Sequence, residues 1–233
     1  MIILKREPVK RKKGYYELTV EPEDERESLA FEEKLGLGAT FQLEVSEEIL
    51  FRRSLNAGDR IPLEELKRLM DADELVKARD TALKLLDYRM RTVKEVEDKL
   101  TEKGFSQVTV AKTIDTLEEY RFLDDESYAR DYLKGRISQR GIRAIEQELS
   151  RKGVDKELTR ELTEGMEDAE YEAALKACRK KYRTLKARET EEHKLKEKVY
   201  RFLMSRGYNY DLIKRVYDET REDVDMGNDE GYY

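Results

Sequence analysis

The chain has no tryptophan, one histidine (His193), one cysteine (Cys178) and 3 prolines in 233 residues. Each scarcity excludes something. A lone cysteine cannot close an internal disulfide, which suits a reducing cytoplasm, the expected compartment. One histidine and one cysteine leave a zinc site almost no ligands. His193 lies among Glu191, Glu192 and Lys194 and reads as a solvated residue. Cys178 falls at an apolar helical position after Ala174, with no partner base in view, and reads as a packing thiol. Gly36-Leu37-Gly38 lacks the lysine and following helix of a phosphate loop. No hydrophobic run approaches the length of a membrane span, and the N-terminus lacks the apolar core of a signal peptide. With 12 glycines and so few prolines the chain is not rich in loops. No catalytic constellation, metal or cofactor is expected, and no enzyme activity.

What the chain does have is charge and a repeat. Charged residues make up 43% and hydrophobic ones 38%, so any core is thin and spread along helices. The net charge of −6 is unevenly distributed. Residues 170–217 carry 14 Lys/Arg against 7 Asp/Glu, whereas residues 218–233 carry 1 Arg against 7 acids. Residues 1–76 are acidic, with 13 basic and 18 acidic residues. The string Leu100-Thr-Glu-Lys-Gly104-Phe105 returns as Leu149-Ser-Arg-Lys-Gly153-Val154 and as Leu203-Met-Ser-Arg-Gly207-Tyr208. The glycines are 49 and 54 residues apart. Each string describes a helix ending in a left-handed glycine cap, and three copies describe one helical unit used three times.

The expected fold is mainly α: tandem three-helix repeats in an elongated array, preceded by a small β-rich N-terminal module with short helices at 1–76. In that module residues 1–4, 15–20 and 39–45 read as strands, and Lys10 to Gly14 as a basic turn. Residues 21–34 fit a surface helix or an insertion. Ser46-Glu47-Glu48 should cap a short helix, and Pro62 suits the first turn of the next. Repeat 1 is assigned to 77–122, repeat 2 to 123–168 and repeat 3 to 169–217. Thr92 to Glu95 reads as a capping box, Ser106 and Asp155 as caps, and Asp124-Asp125 as a helix start rather than a metal pair. Val93, Val96 and Leu100 give an inner face that Ile142, Ile145 and Leu149 copy. Lys196 interrupts the third copy, so repeat 3 should be looser and Leu203 more tolerant of truncation. Residues 218–233 read as a disordered acidic tail that competes with nucleic acid for repeat 3.

Candidate binding residues are the cations. Arg89 and Arg136 stand seven residues after Ala82 and Ala129, in equivalent places. Together with Arg91, Arg140, Arg143 and Lys152, and with Lys180, Lys181 and Arg183 of the cationic third repeat, they are assigned to a partner-binding face. A solvated, salt-bridged helix surface is the bland alternative. Taken together the charges favour an acidic or polyanionic partner.

Several strings resemble the RecX family, the regulators of the RecA recombinase. Ala82 to Glu95 resembles the family's opening helix and capped second helix, and Lys103-Gly104-Phe105 its turn. Phe122-Leu123-Asp124-Asp125-Glu126-Ser127-Tyr128-Ala129-Arg130, followed by Arg136 and Gly141, resembles its most recognisable motif. Glu148 to Val154 resembles the second turn, and Phe41 to Leu55 the N-terminal region. The resemblance implies tandem three-helix repeats and a non-enzymatic role. Such proteins bind the RecA–DNA filament along its groove and limit filament growth, recombinase and coprotease activity. It implies a RecA filament as partner, weak contact with single-stranded or duplex DNA, and a monomer. The other reading is an autonomous DNA-binding or helical scaffold protein. Binding to a RecA filament compared with bare DNA separates the two.

Overall fold

The computed structural model describes residues 1–10, 12–29 and 40–225, and they pack as two compact units. The expectations for residues 11 and 30–39 lie outside the described residues. Unit 1 holds Met1–Arg89 and Val96–Phe122; unit 2 holds Met90–Glu95 and everything from Leu123.

Unit 1 begins with a three-stranded antiparallel sheet in the order β1 (Ile2–Pro8), β2 (Tyr15–Glu21), β3 (Phe41–Ser46). Leu18 and Val20 of β2, Ile3 of β1 and Val45 of β3 are buried on one face, as their period-2 spacing requires. Helix α1 (Glu47–Arg53) and the first half of α2 (Leu63–Tyr88) cover that face with Ile49, Leu50, Leu66 and Leu69. Ser46 precedes α1, but its side chain makes no capping bond. Its backbone N–H donates to Asp73 Oδ1 at 2.6 Å, because Ser46 is buried against α2.

Helix α2 runs unbroken for 26 residues, through the expected boundary at 76/77. No glycine or proline interrupts it. One end packs on the sheet, and Ala78 and Ala82 further along are also buried. The N-terminal module and repeat 1 therefore share a helix. Helices α3 (Val93–Glu102) and α4 (Gln107–Glu119) follow, with Val96, Leu100, Val110, Ile114 and Leu117 buried at helical spacing. Ser106 caps α4 by accepting the Thr109 N–H, and Glu74 of α2 takes the Ser106 N–H and hydroxyl, both at 2.8 Å.

Unit 2 contains α5 (Asp125–Arg136), α6 (Ile142–Arg151), α7 (Lys156–Thr163), α8 (Glu167–Lys186), α9 (Glu192–Ser205) and α10 (Tyr210–Asp225). Asp124 and Asp155 cap α5 and α7 as read from sequence. Gly104, Gly153 and Gly207 are all left-handed, with φ of 86°, 88° and 87°.

Repeat 3 is not looser. Leu195, one residue before Lys196, is buried in its place, and Tyr182, Tyr200, Tyr208 and Tyr217 fill the same core. Cys178 is buried there too, and burial pushes its thiol pKa up to about 11, as befits a packing residue. Leu100, Leu149 and Leu203 are each 0% exposed. Truncating any one of them to Ala should cost about 2–5 kcal/mol, with the three alike to within about 1 kcal/mol. Chemical denaturation that returned a much smaller cost for Leu203 would restore the looser repeat.

The tail reading also needs correction. Helix α10 continues past Asp218 to Asp225. Tyr217 and Thr220 are buried on its inner side, and Glu219 and Asp223, one turn apart, hold Arg179 of α8 at 3.3 and 2.5 Å. An acidic stretch that offers a buried face and a facing arginine has reason to stay helical. Residues 226–233 lie outside the described residues.

Candidate partner-binding surface

Within unit 2 the same joint is built twice. The start of a repeat's middle helix receives the glycine turn of the following repeat. At α3, Thr92 Oγ1 donates to the Lys152 carbonyl at 2.6 Å, and a Cβ on Gly153 would overlap the Lys94 side chain. At α6, the Gly141 N–H donates to the Arg206 carbonyl at 2.9 Å, and a Cβ on Gly207 would overlap Ala144. A carboxylate from the following repeat's first helix completes each joint. Asp125 accepts the Val93 N–H at 2.9 Å, and Glu170 accepts the Ile142 N–H at 2.8 Å. Both fill the role of a helix cap from a distance. Thr92 accepts the Glu95 N–H, which is half of the expected capping box, while the Glu95 carboxylate reaches Lys152 at 2.7 Å.

Burial raises the pKa of Asp125 and of Glu170, against the opposing pull of the N–H each accepts. A carboxyl whose pKa is raised on folding contributes stability below its unfolded value and loses it as pH rises through the folded value. Asp125→Asn and Glu170→Gln should therefore flatten the fall in stability that sets in as pH rises above the ordinary carboxyl value of about 4. Denaturation midpoints across that range check it; an unchanged slope in the double variant would refute the assignment.

The joints settle where several of the nominated cations go. Lys152 is turned inward. Its ammonium lies over Tyr128 and Tyr132 at 5.5 and 5.9 Å and pairs with Glu95. Burial disfavours its charge, yet the Glu95 and Tyr128 contacts raise its pKa above the ordinary lysine value. Arg140 lies across the second joint, 3.5 Å from the Ser205 carbonyl and 4.0 Å from Glu148. Arg136 stands over Tyr132 at 5.4 Å and is otherwise exposed, as are Arg143 and Lys180. Lys181 lies 5.1 Å from the Phe202 ring. Arg183 is exposed on α8, and Arg91 is half-buried before α3. All of these belong to unit 2, whereas Arg89, the residue after α2, belongs to unit 1.

Sequence reasoning missed Arg206. Its guanidinium lies 4.5 Å from the Phe202 ring, which Lys181 also approaches, and it donates to the Gln139 carbonyl at 3.3 Å. The signal was present, because Arg206 precedes Gly207 as Lys152 precedes Gly153. Four of the 14 cations of residues 170–217 are paired internally: Arg179 with α10, Lys194 with Glu191, Lys198 with Glu189 and Arg201 with Glu197. Among the described residues no carboxylate lies within 4 Å of Arg136, Arg143, Lys180, Lys181 or Arg206. These five cations sit on α5, α6, α8 and just after α9. No three His, Cys, Asp or Glu side chains among the described residues are grouped to hold a metal ion, and no described helix is long and apolar enough to cross a membrane.

Comparison with known proteins assigns the repeats. Models of the first, second and third three-helix domains of RecX match residues 78–117, 124–162 and 168–217. A regulatory protein RecX of Clostridium botulinum (strain Alaska E43 / Type E3) is 36% identical over 185 residues, spanning 79% of this chain and 87% of its own. That of Clostridium perfringens (strain SM101 / Type A) is 38% identical over 171 residues, spanning 72% and 80%. Among solved structures, a crystal structure of regulatory protein RecX shares the fold with a TM-score of 0.65 at 23% identity, over 93% of this chain and 98% of that one. RecX from Lactobacillus salivarius gives 0.59 at 25% identity, over 65% and 99%. Three helical domains matched in order, and relatives spanned over most of their length at more than a third identity, place this chain in the RecX family.

Proposed function

We propose that this chain regulates RecA by binding along the RecA–DNA filament and limiting its recombinase and coprotease activity, in the cytoplasm and as a monomer. It does so by contact, without catalysis. Family membership carries the reading, and the unneutralised cations of α5, α6, α8 and α9 support it, since they offer several weak contacts on one chain. The test is a time course of RecA filament assembly on single-stranded DNA with and without this chain. Net growth should slow when this chain is present, and affinity for the filament should exceed affinity for bare DNA. Unchanged assembly together with tight binding to bare DNA would favour an autonomous DNA-binding protein instead.

A further inference from the structure

The end of repeat 1 within unit 1 carries a patch that neither the core nor the cationic surface explains. Tyr88 ends α2, and Tyr120, Arg121 and Phe122 follow α4. Tyr88, Tyr120 and Phe122 are 84%, 69% and 58% exposed. The two helices bring them to the same end. Glu74 of α2 holds Ser106 at the start of α4, so both helices are level there. Val93 soon after α2 takes the side chain of Asp125 soon after α4 on its N–H, so both helices run the same way. Tyr88 and Tyr120 each stand 14 residues beyond that level point. At about 1.5 Å per residue both lie about 21 Å along from it, at the same end of the unit.

Arg121 adds an independent observation. Its φ is 57°, and the Phe122 N–H closes back on the Leu117 carbonyl at 2.8 Å. This is the left-handed position after a helix that glycine fills at 104, 153 and 207. An arginine there strains the backbone. A side chain kept against strain, between two exposed rings, points to a use for that side chain.

The charge around the patch decides the kind of partner. Asp87, Glu118 and Glu119 are exposed on the same helix ends. Three carboxylates beside the rings repel phosphates, so a nucleic acid strand is disfavoured. Exposed tyrosines with an arginine are the chemistry of a protein–protein anchor. We infer that Tyr88, Tyr120, Arg121 and Phe122 form a protein-docking surface, whose occupant is a RecA protomer offering apolar recesses for the rings and uncharged carbonyl acceptors for Arg121. The inference rests on the RecA reading above and adds a second contact, apolar where the other is cationic.

The test uses the full chain, RecA filaments preassembled on single-stranded DNA, and the bare DNA as a parallel arm. Tyr120→Ser with Phe122→Ser should lower filament affinity about tenfold, the scale of interface anchors, and leave bare-DNA affinity unchanged. Arg121→Gly should raise the melting temperature by relieving the backbone, yet weaken filament binding by about threefold or more. That combination is one a purely structural role would not give, and it serves if the double variant fails to fold. Wild-type filament affinity in either folded variant overturns the proposal. An equal loss in both arms overturns it in favour of a nucleic-acid surface. A wild-type chain that does not bind filaments at all overturns the RecA reading, and this inference with it.

Discussion

A chain carrying Gly153→Ala and Gly207→Ala together should lose about 4–10 kcal/mol of stability, whereas Gly104→Ala alone should lose about 1–2 kcal/mol. All three glycines are left-handed, so each substitution pays the same backbone strain of about 1–2 kcal/mol. Their surroundings differ. A Cβ at Gly104 meets no atom within 4 Å. A Cβ at Gly207 falls on Ala144, 2.8 Å from its backbone nitrogen, where nothing flexible can give way. At Gly153 it falls on Lys94, 2.6 Å from Cδ and closer still to Cβ, so only part of the obstacle can swing aside. Overpacking of this kind adds about 1–3 kcal/mol at each joint, with the larger share at Gly207. Against a total stability of about 5–15 kcal/mol the double variant should be largely unfolded at moderate denaturant. Urea denaturation of the three single variants and the double measures all of it. Equal costs at 104, 153 and 207 would show that the turns are caps alone and that the repeats are not seated through them.

The contrast shows what a sequence of this kind discloses. The three turns were legible because a left-handed cap is a local event, written in six adjacent residues. Ser106, Asp124 and Asp155 were legible as caps for the same reason, each accepting from an N–H two or three residues ahead. Asp125 and Glu170 were not, since their N–H partners lie 32 and 28 residues away in the preceding repeat. The shared helix α2 was hidden because its two ends serve different cores, which blurs any single periodic face. The helical course of residues 218–225 was misread from charge. Tyr217, Thr220 and Val224 recur at i, i+3 and i+7, and that spacing carried more weight than the acids between them. The binding surface was legible only as a list of cations. Which of them are spoken for depends on long-range pairs such as Arg179 with Asp223, 44 residues apart.

That sorting gives the second large effect. Replacing Arg136, Arg143 and Lys180 together by glutamine should weaken binding to RecA filaments by about tenfold or more while leaving the melting temperature unchanged. These side chains are exposed, and no carboxylate among the described residues would be left behind without its partner. Only the cation–ring contact of Arg136 with Tyr132 is lost, a small term on a wet surface. Lys152→Gln should behave in the opposite way. It removes the Lys152–Glu95 pair from a half-buried joint, together with the ammonium's contacts to Tyr128 and Tyr132, and should cost about 1–3 kcal/mol of stability, with filament affinity little changed once the protein is folded. Arg140→Gln should lower both, because Arg140 faces solvent on one side and the Ser205 carbonyl on the other. On bare single-stranded DNA the triple variant should also flatten the salt dependence, by about 0.7 in log–log slope for each phosphate contact removed. Filament binding and salt slope measured side by side distinguish the possibilities. Loss of the slope with filament affinity intact would mean that these cations meet only DNA. Loss of filament affinity with the slope intact would place them against RecA itself, where a few well-placed charges set the rate and register of docking rather than its whole strength.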